Sequence, residues 1–535
     1  MEPRPTAGSA DDVDWFQSQS QSQSQCQPQA QAQSQPQTQS QSQSQSRSRS
    51  PETQSTRVSR RSFVATASAT TVIGSTAIAG CLGRGHGPNT VIMTGATDFE
   101  GILHTEGDEP DVQQALWDAG LDEDIRVEVQ TVVSDSAQRM QEAQSTLQAG
   151  RAPPDIHMMD TGWTIPFILR EQTTNLTEEL PDDVVDRIED VYLDEVLETA
   201  RHPETGDIHG LPLFPDFGMM LYRQDLVEDA GHDTSDWATE PPDWETFSQA
   251  VADAQAEAGL NYGLTTQAAA FEGLACCTFN EVMSTWGGGY FGGTEDLFTA
   301  GDRPITVTDD TVLDAIRMMR AFIHGDDDEH ALEGYPQICP SAIVQWTEEE
   351  SLSPFEGGDA VANRNWPFAI AATGADDAFG EDLGVTTQPY AVPEDEAEFE
   401  GVGGTAAALG GWNLTVSPYT DRTDEVLQVL EAFTHDEVML TIFELQGFLP
   451  PNIDLVEEAD PDEIGPIARY VDQIQLAGEN AVPRPVTDVW PEQSALIFQE
   501  VNAAYRGAKS PSEAMEDLAG RLEQSEAEVA ARHGE

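Results

Sequence analysis

The sequence of 535 residues predicts an α/β protein built around a parallel sheet. Three observations support this fold class. Short apolar runs with the length of strands alternate with segments whose apolar residues recur at a helical period. Hydrophobic residues make up 39% of the chain, which is enough for a packed core despite the high charge. The length is sufficient for two or three domains.

The first half of the chain has the order β-α-β-α-β, which is typical of a parallel sheet with helices on its faces. Strands are predicted at 90–94, 125–129 and 153–160, with helices at 111–116 and 136–147. Longer helices are predicted at 244–258, 310–324, 423–433, 437–446, 493–506 and 512–524. No similarity recurs at the spacing of a solenoid, so a repeat architecture is not expected.

Charge is the most unusual property of the composition. The chain has 96 Asp and Glu against 25 Lys and Arg, a formal net charge of −71, and Lys509 is its single lysine. The electric field of so negatively charged a protein repels the phosphate backbone of nucleic acids, and no nucleic-acid partner is therefore expected. The composition favours a protein that works in very high salt, where the Debye length falls to roughly 3 Å. We therefore expect a halophilic archaeon as the source, and an acidic protein from ordinary surroundings is the alternative.

The N-terminal region is predicted to be a targeting device. Residues 1–56 form a low-complexity Gln/Ser tract that cannot bury a core. Residues 57–80, with paired arginines before a mildly apolar stretch, are typical of a twin-arginine signal peptide. Cys81 follows small residues and is predicted to be lipidated, with 81–88 as a tether to the outer face of the membrane.

Two alternatives are open in this region. The apolar stretch is shorter than the roughly 20 residues that span a bilayer, but an anchor helix that is not cleaved is the competing interpretation. Residues 1–57 are either a translated tract or a mis-assigned start, in which case Val58 is the first residue.

The sequence lacks the common motifs of enzymes and metal sites. It has no G-x-S-x-G, H-E-x-x-H or Walker A motif, and its histidines are scattered. We therefore expect no catalytic activity, no cofactor and no metal site. Outside the cell, Cys276 or Cys277 could form a disulfide with Cys339, which would leave one thiol unpaired.

Five sequence blocks, in order, resemble a known family. They are Ala149–Ile156, Gly206–Pro212 with Met220–Gly231, Pro242–Phe247, Phe355–Trp366, and Gly410–Val416 with Gln446–Pro450. Together they resemble the extracellular solute-binding proteins of ABC importers, in particular the carbohydrate-binding family that includes the maltose- and trehalose-binding proteins. The resemblance covers nearly all of residues 89–525.

The resemblance implies a two-lobed fold like that of periplasmic binding proteins, with a ligand cleft between the lobes. Lobe I would comprise 89–215 and 355–450, lobe II would comprise 216–354 and 451–525, and 526–535 would be a C-terminal tail. The function implied is capture of a sugar or oligosaccharide by a monomer, and its delivery to the permease subunits of an ABC transporter. The same fold could instead bind a polyamine, a ferric ion or a phosphodiester, and a secreted hydrolase is a further alternative.

Ligand contacts follow from the chemistry of a sugar, which presents hydroxyl groups around an apolar ring face. Its receptor needs flat aromatic faces together with charged groups that accept or donate hydrogen bonds. The predicted ligand-binding residues are Asp160, Trp163, Asp216, Trp286, Tyr290, Arg364, Trp366, Trp412 and Arg484. Burial in the core is the competing interpretation for each tryptophan, and Trp244 is expected to be structural.

Overall fold

A computed structural model describes residues 89–105, 111–132, 136–458 and 464–533. The predicted Gln/Ser tract, signal peptide, Cys81 and tether lie outside the described residues. Within them the chain folds into a mixed α/β structure with two sheets, which confirms the predicted fold class.

Ten strands are found in the described residues, in two separate sheets. The larger sheet has the order β10-β9-β3-β1-β2, with β4 also paired to β9, and the smaller has the order β6-β7-β5-β8. The strands are β1 (Thr90–Gly95), β2 (Arg126–Thr131), β3 (Ile156–Asp160), β4 (Gly210–Phe217), β5 (Met219–Arg223), β6 (Tyr262–Thr265), β7 (Ala360–Asn365), β8 (Leu383–Thr386), β9 (Ala407–Val416) and β10 (Ala481–Val482).

Helices cover both sheets. The α-helices of the described residues are α1 (Thr97–Leu103), α2 (Val112–Asp118), α3 (Ser136–Gln148), α4 (Thr164–Ile168), α5 (Leu176–Glu179), α6 (Asp182–Val191), α7 (Asp194–Glu198), α8 (Gln224–Asp229), α9 (Trp244–Ala258), α10 (Phe279–Ser284), α11 (Asp310–His324), α12 (Glu348–Glu356), α13 (Phe368–Thr373), α14 (Thr423–Phe433), α15 (Asp436–Gln446), α16 (Asp454–Glu458), α17 (Val471–Glu479), α18 (Trp490–Tyr505) and α19 (Pro511–His533). A π-helical turn, Leu274–Thr278, leads directly into α10. Short 3₁₀ turns lie at Thr294–Phe298, Gly325–Asp327, Ser341–Gln345, Gly380–Asp382, Glu394–Glu396 and Gly465–Tyr470.

The predicted elements of the first half are confirmed within one to three residues at their ends. β1 pairs in parallel with both β2 and β3, as the β-α-β-α-β order requires. All six residues of β1 are buried, because helices cover both faces of the sheet. Among the later helices, the predicted bounds of α9, α11 and α14 agree with the structure.

Each sheet has its own hydrophobic core, and a third core joins them. One core packs on the larger sheet and another around the smaller sheet. The third combines side chains of β4, β5, β9, α12 and α17, such as Phe217, Leu409, Phe355 and Ile474. The two sheets therefore define two lobes that meet along a packed junction.

The predicted lobe boundaries need correction. Residues 355–386 were predicted in lobe I, but β7 and β8 both pair with β5 in the smaller sheet. The change back to the larger sheet comes at β9. Residues 451–482 were predicted in lobe II, but β10 pairs with β9 in the larger sheet, so the change to the smaller lobe comes only after Val482. The predicted tail at 526–535 is also corrected, because α19 continues to His533 and Glu526 forms a buried ion pair with Arg303 at 2.6 Å.

Three segments connect the lobes. The chain passes from β4 to β5 at Gly218, from β8 to β9 through 387–406, and from β10 to α18 through 483–489. These connections place the ends of strands from both sheets against one another. No helix in the described part of the chain combines the length and apolarity that a membrane span requires.

The cysteines are arranged differently from the predicted alternative. Cys276 and Cys277 form a disulfide with each other, within the π-helical turn before α10. Cys339 is a free, buried thiol. Neither Cys276 nor Cys277 is therefore available to form a disulfide with Cys339.

Candidate ligand-binding site

Strand register brings polar and aromatic side chains together at the junction of the lobes. β9 pairs antiparallel with β3 on one side and β4 on the other, so that Asp160 lies opposite Trp412 and Asp216 lies opposite Gly410. Gly411 between them has φ +119°, and a Cβ there would lie 2.4 Å from the Phe214 carbonyl oxygen. Only glycine fits this bend of β9.

Arg484 lies at the centre of the junction, on the segment that follows β10. Its Nη1 donates to Asp160 Oδ1 and to Glu272 Oε1, both at 3.0 Å, and Nη2 donates to the Leu409 carbonyl oxygen at 3.3 Å. Asp160 ends a strand of the larger sheet, whereas Glu272 follows β6 of the smaller sheet. One guanidinium group thus binds a carboxylate from each lobe.

The approach of Arg484 to β3 depends on a glycine. A Cβ at Gly162 would lie 2.3 Å from Arg484 Nη1, so any larger residue would displace the guanidinium group. The sequence Asp160-Thr161-Gly162-Trp163 therefore supplies a carboxylate, room for the arginine and an aromatic ring in four residues.

An aromatic pair forms one wall of the site. Trp163 is buried and its Nε1 donates to Ser136 Oγ at 2.9 Å, while Ser136 Oγ lies 3.1 Å from Asp160 Oδ2. The edge of one ring meets the face of the other between Trp163 and Trp412, with centroids 6.5 Å apart. The Arg139 guanidinium lies 4.3 Å from the centre of the half-buried Trp412 ring.

Trp366 forms a second aromatic surface, contributed by the smaller sheet. Its ring approaches Gly410 so closely that a Cβ there would lie 3.2 Å from the ring and 3.5 Å from the Asp216 Cβ. The Arg364 guanidinium lies 4.2 Å from the ring centre and supports it. Trp366 and Asp216, from different sheets, are therefore neighbours.

A buried ion pair supports this arrangement from below. Arg364 donates to both carboxylate oxygens of Glu281, one of them at 2.8 Å, and to Gln267 Oε1 at 3.3 Å. Glu281 also accepts the backbone N–H of Ala408 at 2.8 Å. A Cβ at Gly218 would lie 1.7 Å from Glu281 Oε1, so the first connection between the lobes must carry a glycine here.

Two carboxyl groups of the site have pKa values well above those of ordinary Asp and Glu side chains. Burial raises the pKa of Asp216 to about 8, with Asp160 adding to the effect and Arg364 opposing it. Burial likewise raises the pKa of Glu272 to about 7, against the opposing charge of Arg484. Asp216 makes no side-chain hydrogen bond to any described residue, so its carboxyl group is available to a ligand.

The structure brings Asp160, Trp163, Asp216, Arg364, Trp366, Trp412 and Arg484 to the junction. Tyr290 does not lie there. It is 1% exposed in the core of the smaller lobe, and its hydroxyl donates to the Ala275 carbonyl oxygen at 2.7 Å. This prediction is corrected, because both the ring and the hydroxyl are taken up by core packing.

Trp286 also packs in the smaller lobe. Its ring centroid lies 6.3 Å from that of Tyr335, and its neighbour Gly287 faces Val392 rather than the junction.

The sequence-based prediction of ligand-binding residues missed two acids at the junction, Glu272 and Glu281. Glu281 carries a signal that could have been used, since it is the one charged residue within the apolar run Leu274–Met283 and needs a buried cation as partner.

The described residues contain no group of three or more His, Cys, Asp or Glu side chains placed to hold a metal ion. What the site offers is two aromatic surfaces, carboxyl groups from both lobes and one central guanidinium. Such a set can stack against an apolar face and exchange hydrogen bonds with hydroxyl groups.

Several known proteins are similar to this chain in sequence or in fold. A "Probable ABC transporter-binding protein" of Deinococcus radiodurans is 23% identical over 405 residues, which cover 74% of this chain and 86% of that protein. Maltose-bound MalE3 of T. maritima aligns with a TM-score of 0.65 and 23% identity, covering 81% of this chain and 99% of that one. The GacH receptor of Streptomyces glaucescens aligns with a TM-score of 0.61 and 17% identity, covering 81% and 97%.

The two solved structures share the two-lobed fold with this chain. Residues 119–464, well over half of the chain, match the family described as bacterial extracellular solute-binding protein. This match spans β2 to β9 and therefore includes the strands that form most of the junction. The chain belongs to the bacterial extracellular solute-binding proteins, the family that delivers solutes to ABC transporters.

Proposed function

We propose that this protein binds a neutral sugar or polyol between its lobes and passes it to the permease of an ABC importer. The observation that carries the proposal is the pairing of Trp366 with Asp216. An aromatic face beside a carboxyl group that has no hydrogen-bond partner among the described residues suits a ring with an apolar face and hydroxyl edges. MalE3 solved with maltose and GacH solved with acarbose lend support from proteins of the same fold.

A cationic solute such as a polyamine is the second candidate. The junction carries Asp160, Asp216 and Glu272, and Arg484 is the cation that contacts two of them. A screen should therefore compare sugars, polyols and polyamines by thermal shift in multimolar salt. A ligand at 100 times its Kd should stabilise the folded protein by roughly 2.7 kcal/mol. Stabilisation by polyamines alone would replace the sugar proposal.

Removing the Trp366 ring should weaken ligand binding. We expect Trp366→Ala to cost about 1–3 kcal/mol of binding free energy, roughly ten- to a hundredfold in Kd, because the stacking face is lost. Trp412→Ala should also raise the Kd. Because Arg139 lies against one side of the Trp412 ring, only the other side can stack on a ligand. Titration followed by intrinsic fluorescence, with the best ligand from the screen, measures both.

Trp237 is the matched control for these variants. It is 5% exposed and packs against Tyr222 and Phe247 in the core of the smaller lobe. Trp237→Phe should leave Kd unchanged. If Trp366→Ala and Trp412→Ala both bind like the parent while melting cooperatively, the stacking role is wrong. Binding without catalysis is part of the proposal, and release of reducing sugar from an oligosaccharide would contradict it.

The proposal extends to a monomer held on the outer face of the cell membrane by lipid on Cys81. Support comes from the sequence alone, in the paired arginines, the mild apolar stretch and the small residues before this cysteine. Cys81→Ser should release the protein into the medium, as measured by immunoblotting of cell and medium fractions. Undiminished retention of this variant on cells would contradict lipid anchoring.

A further inference from the structure

Arg484, one of the predicted ligand contacts, is bonded to the protein itself. The residue is 4% exposed. Its Nη1 donates one hydrogen bond to Asp160 and another to Glu272, and its Nη2 donates to the Leu409 carbonyl oxygen. The Nε atom is buried as well. Little of the guanidinium group is therefore left for a ligand to contact, and its role lies in the groups that it already holds.

The two carboxylates held by Arg484 come from different lobes and lie close together. Asp160 ends β3 of the larger sheet, and Glu272 lies two residues before Leu274, which belongs to the core of the smaller lobe. Because the bonded oxygens are each 3.0 Å from Nη1, they are at most about 6 Å apart. Their side chains are only 12% and 20% exposed. Two like charges thus face each other across the junction, with one cation between them.

The surroundings of Glu272 show how much this cation matters. Burial raises the pKa of Glu272 to about 7, the charge of Arg484 opposes this rise, and the charges of Asp160 and Glu348 add to it. Without Arg484, the ionised carboxylates of Asp160 and Glu272 would repel each other where little water screens them. The form in which the lobes meet at this point therefore depends on the arginine.

The Arg484 bridge differs from two other hydrogen bonds between the lobes. Asn280 Nδ2 donates to the Pro483 carbonyl oxygen at 3.4 Å, and Glu281 accepts the Ala408 N–H at 2.8 Å. Both of these bonds end on main chain at or beside a connection between the lobes, where a hinge motion displaces atoms least. The Arg484 bridge instead joins side chains, which can separate without breaking a backbone hydrogen bond. It is therefore well suited to form and break as the lobes move.

We propose that Arg484 is a positioning residue, which neutralises the facing carboxylates of Asp160 and Glu272 and so allows the lobes to close around a solute that it does not itself contact. That a solute is captured between the lobes rests on the proposed function. The closed form is the form in which the bridge is made. A solute that needs this form binds more weakly when a smaller fraction of the molecules is closed.

Single-molecule energy transfer between two dyes can report the separation of the lobes in the absence of any ligand. One dye is attached at Gln428→Cys on α14, which packs on the larger sheet, and the other at Glu257→Cys on α9, which packs in the smaller lobe. Both positions are exposed. Cys26→Ser and Cys81→Ser prevent labelling elsewhere in the full chain, because the remaining cysteines are buried or form a disulfide.

We expect the ligand-free parent to populate the closed form at constant 3 M salt, as in the structure. Arg484→Met should reduce the ratio of closed to open molecules at least tenfold, because the two carboxylates then repel each other. Adding Glu272→Gln removes one of these charges and should recover part of the loss. The matched control is Arg201→Met, which also removes a cation between two acids, Glu189 at 3.0 Å and Glu198 at 3.6 Å, but within one lobe. It should leave the ratio unchanged.

The pH dependence separates charge repulsion from a loss of packing. Loss of Arg484 removes the group that opposes the raised pKa of Glu272, so the variants are compared at pH 9, where this carboxyl group is ionised. Lowering the pH to 6 should protonate Glu272 and restore closure in Arg484→Met, whereas a packing defect would persist. A ligand-free parent found only in the open form, an Arg484→Met variant with the parent's ratio, or no recovery in the double variant would overturn the proposal.

Maltose and ribitol then serve as probes of the link to binding. For a probe that increases the closed fraction of the parent, Arg484→Met should raise the Kd at least tenfold. An unchanged Kd would contradict the role of Arg484 in closure around a solute. If neither probe changes the energy transfer of the parent, the result counts against the proposed sugar or polyol ligand, while the ligand-free comparison still decides whether Arg484 controls closure.

Discussion

Moving the protein from 3 M to 0.1 M salt is expected to lower its melting temperature by about 10 °C or more. At 2–4 °C per kcal/mol, this corresponds to a loss of several kcal/mol of unfolding free energy. The cause is self-repulsion, because the Debye length grows from roughly 3 Å or less to about 10 Å and charges act on more distant neighbours.

Helix α6 shows how the charge is distributed. Val184, Val185 and Ile188 are buried on one side, while the other side exposes five acids: Asp182, Asp183, Asp186, Glu189 and Asp190. Among the described residues, Glu189 forms an ion pair with Arg201 at 3.0 Å, and the other four acids form none. Like charges at this spacing destabilise a helix unless salt screens them.

Calorimetry in NaCl and KCl from 0.1 to 3 M measures the salt effect. Sucrose at matched osmolality is a control for water activity, and it should not replace the salt. A cooperative transition at the same temperature at both ends of the salt range would contradict a role for screening, and with it the proposed halophilic source.

The sequence predicts local structure well because local structure depends on near neighbours. The apolar spacing within 244–258 and 310–324 is sufficient to define α9 and α11, and the alternation of short strands and helices is sufficient for the α/β class. Trp412, Asp160 and Asp216 were predicted as ligand contacts, and strand register then brings them together.

The lobe to which a strand belongs could not be predicted in the same way. The sequence of β7, Ala-Val-Ala-Asn-Arg-Asn, does not indicate which sheet it joins, and only its pairing with β5 and β6 assigns it to the smaller sheet. These pairings join residues about 100 or more positions apart, and no local pattern records them. The error at 355–386 follows from this.

Individual acids are the hardest site residues to predict in this chain. With 96 acidic residues, a glutamate at 272 carries no signal of its own, and it becomes noticeable only beside Arg484. Cationic site residues are easier to predict than acidic ones. Arg364 and Arg484 could be predicted because cations are few and each is noticeable, although Arg364 proves to be bonded to Glu281 beneath the Trp366 ring.

That bond leads to the second large expected effect, a loss of about 3–5 kcal/mol of unfolding free energy in Glu281→Gln. The side chains of Glu281 and Arg364 are 1% and 3% exposed. Glutamine keeps the shape and can still accept the Ala408 N–H, but it leaves the Arg364 charge buried without a counter-ion. Because the pair touches Gly218 and Ala408, the loss should fall on the connections between the lobes.

Urea unfolding at constant 3 M salt measures this effect without changing the ionic strength. The matched control is Glu189→Gln, which removes the partner of Arg201 at 3.0 Å from a position that is 43% exposed, and it should cost less than about 1 kcal/mol. Adding Arg364→Met to Glu281→Gln should recover part of the loss, since the uncompensated charge is then removed as well. Equal stability of Glu281→Gln and Glu189→Gln would show that the buried pair does not stabilise the junction.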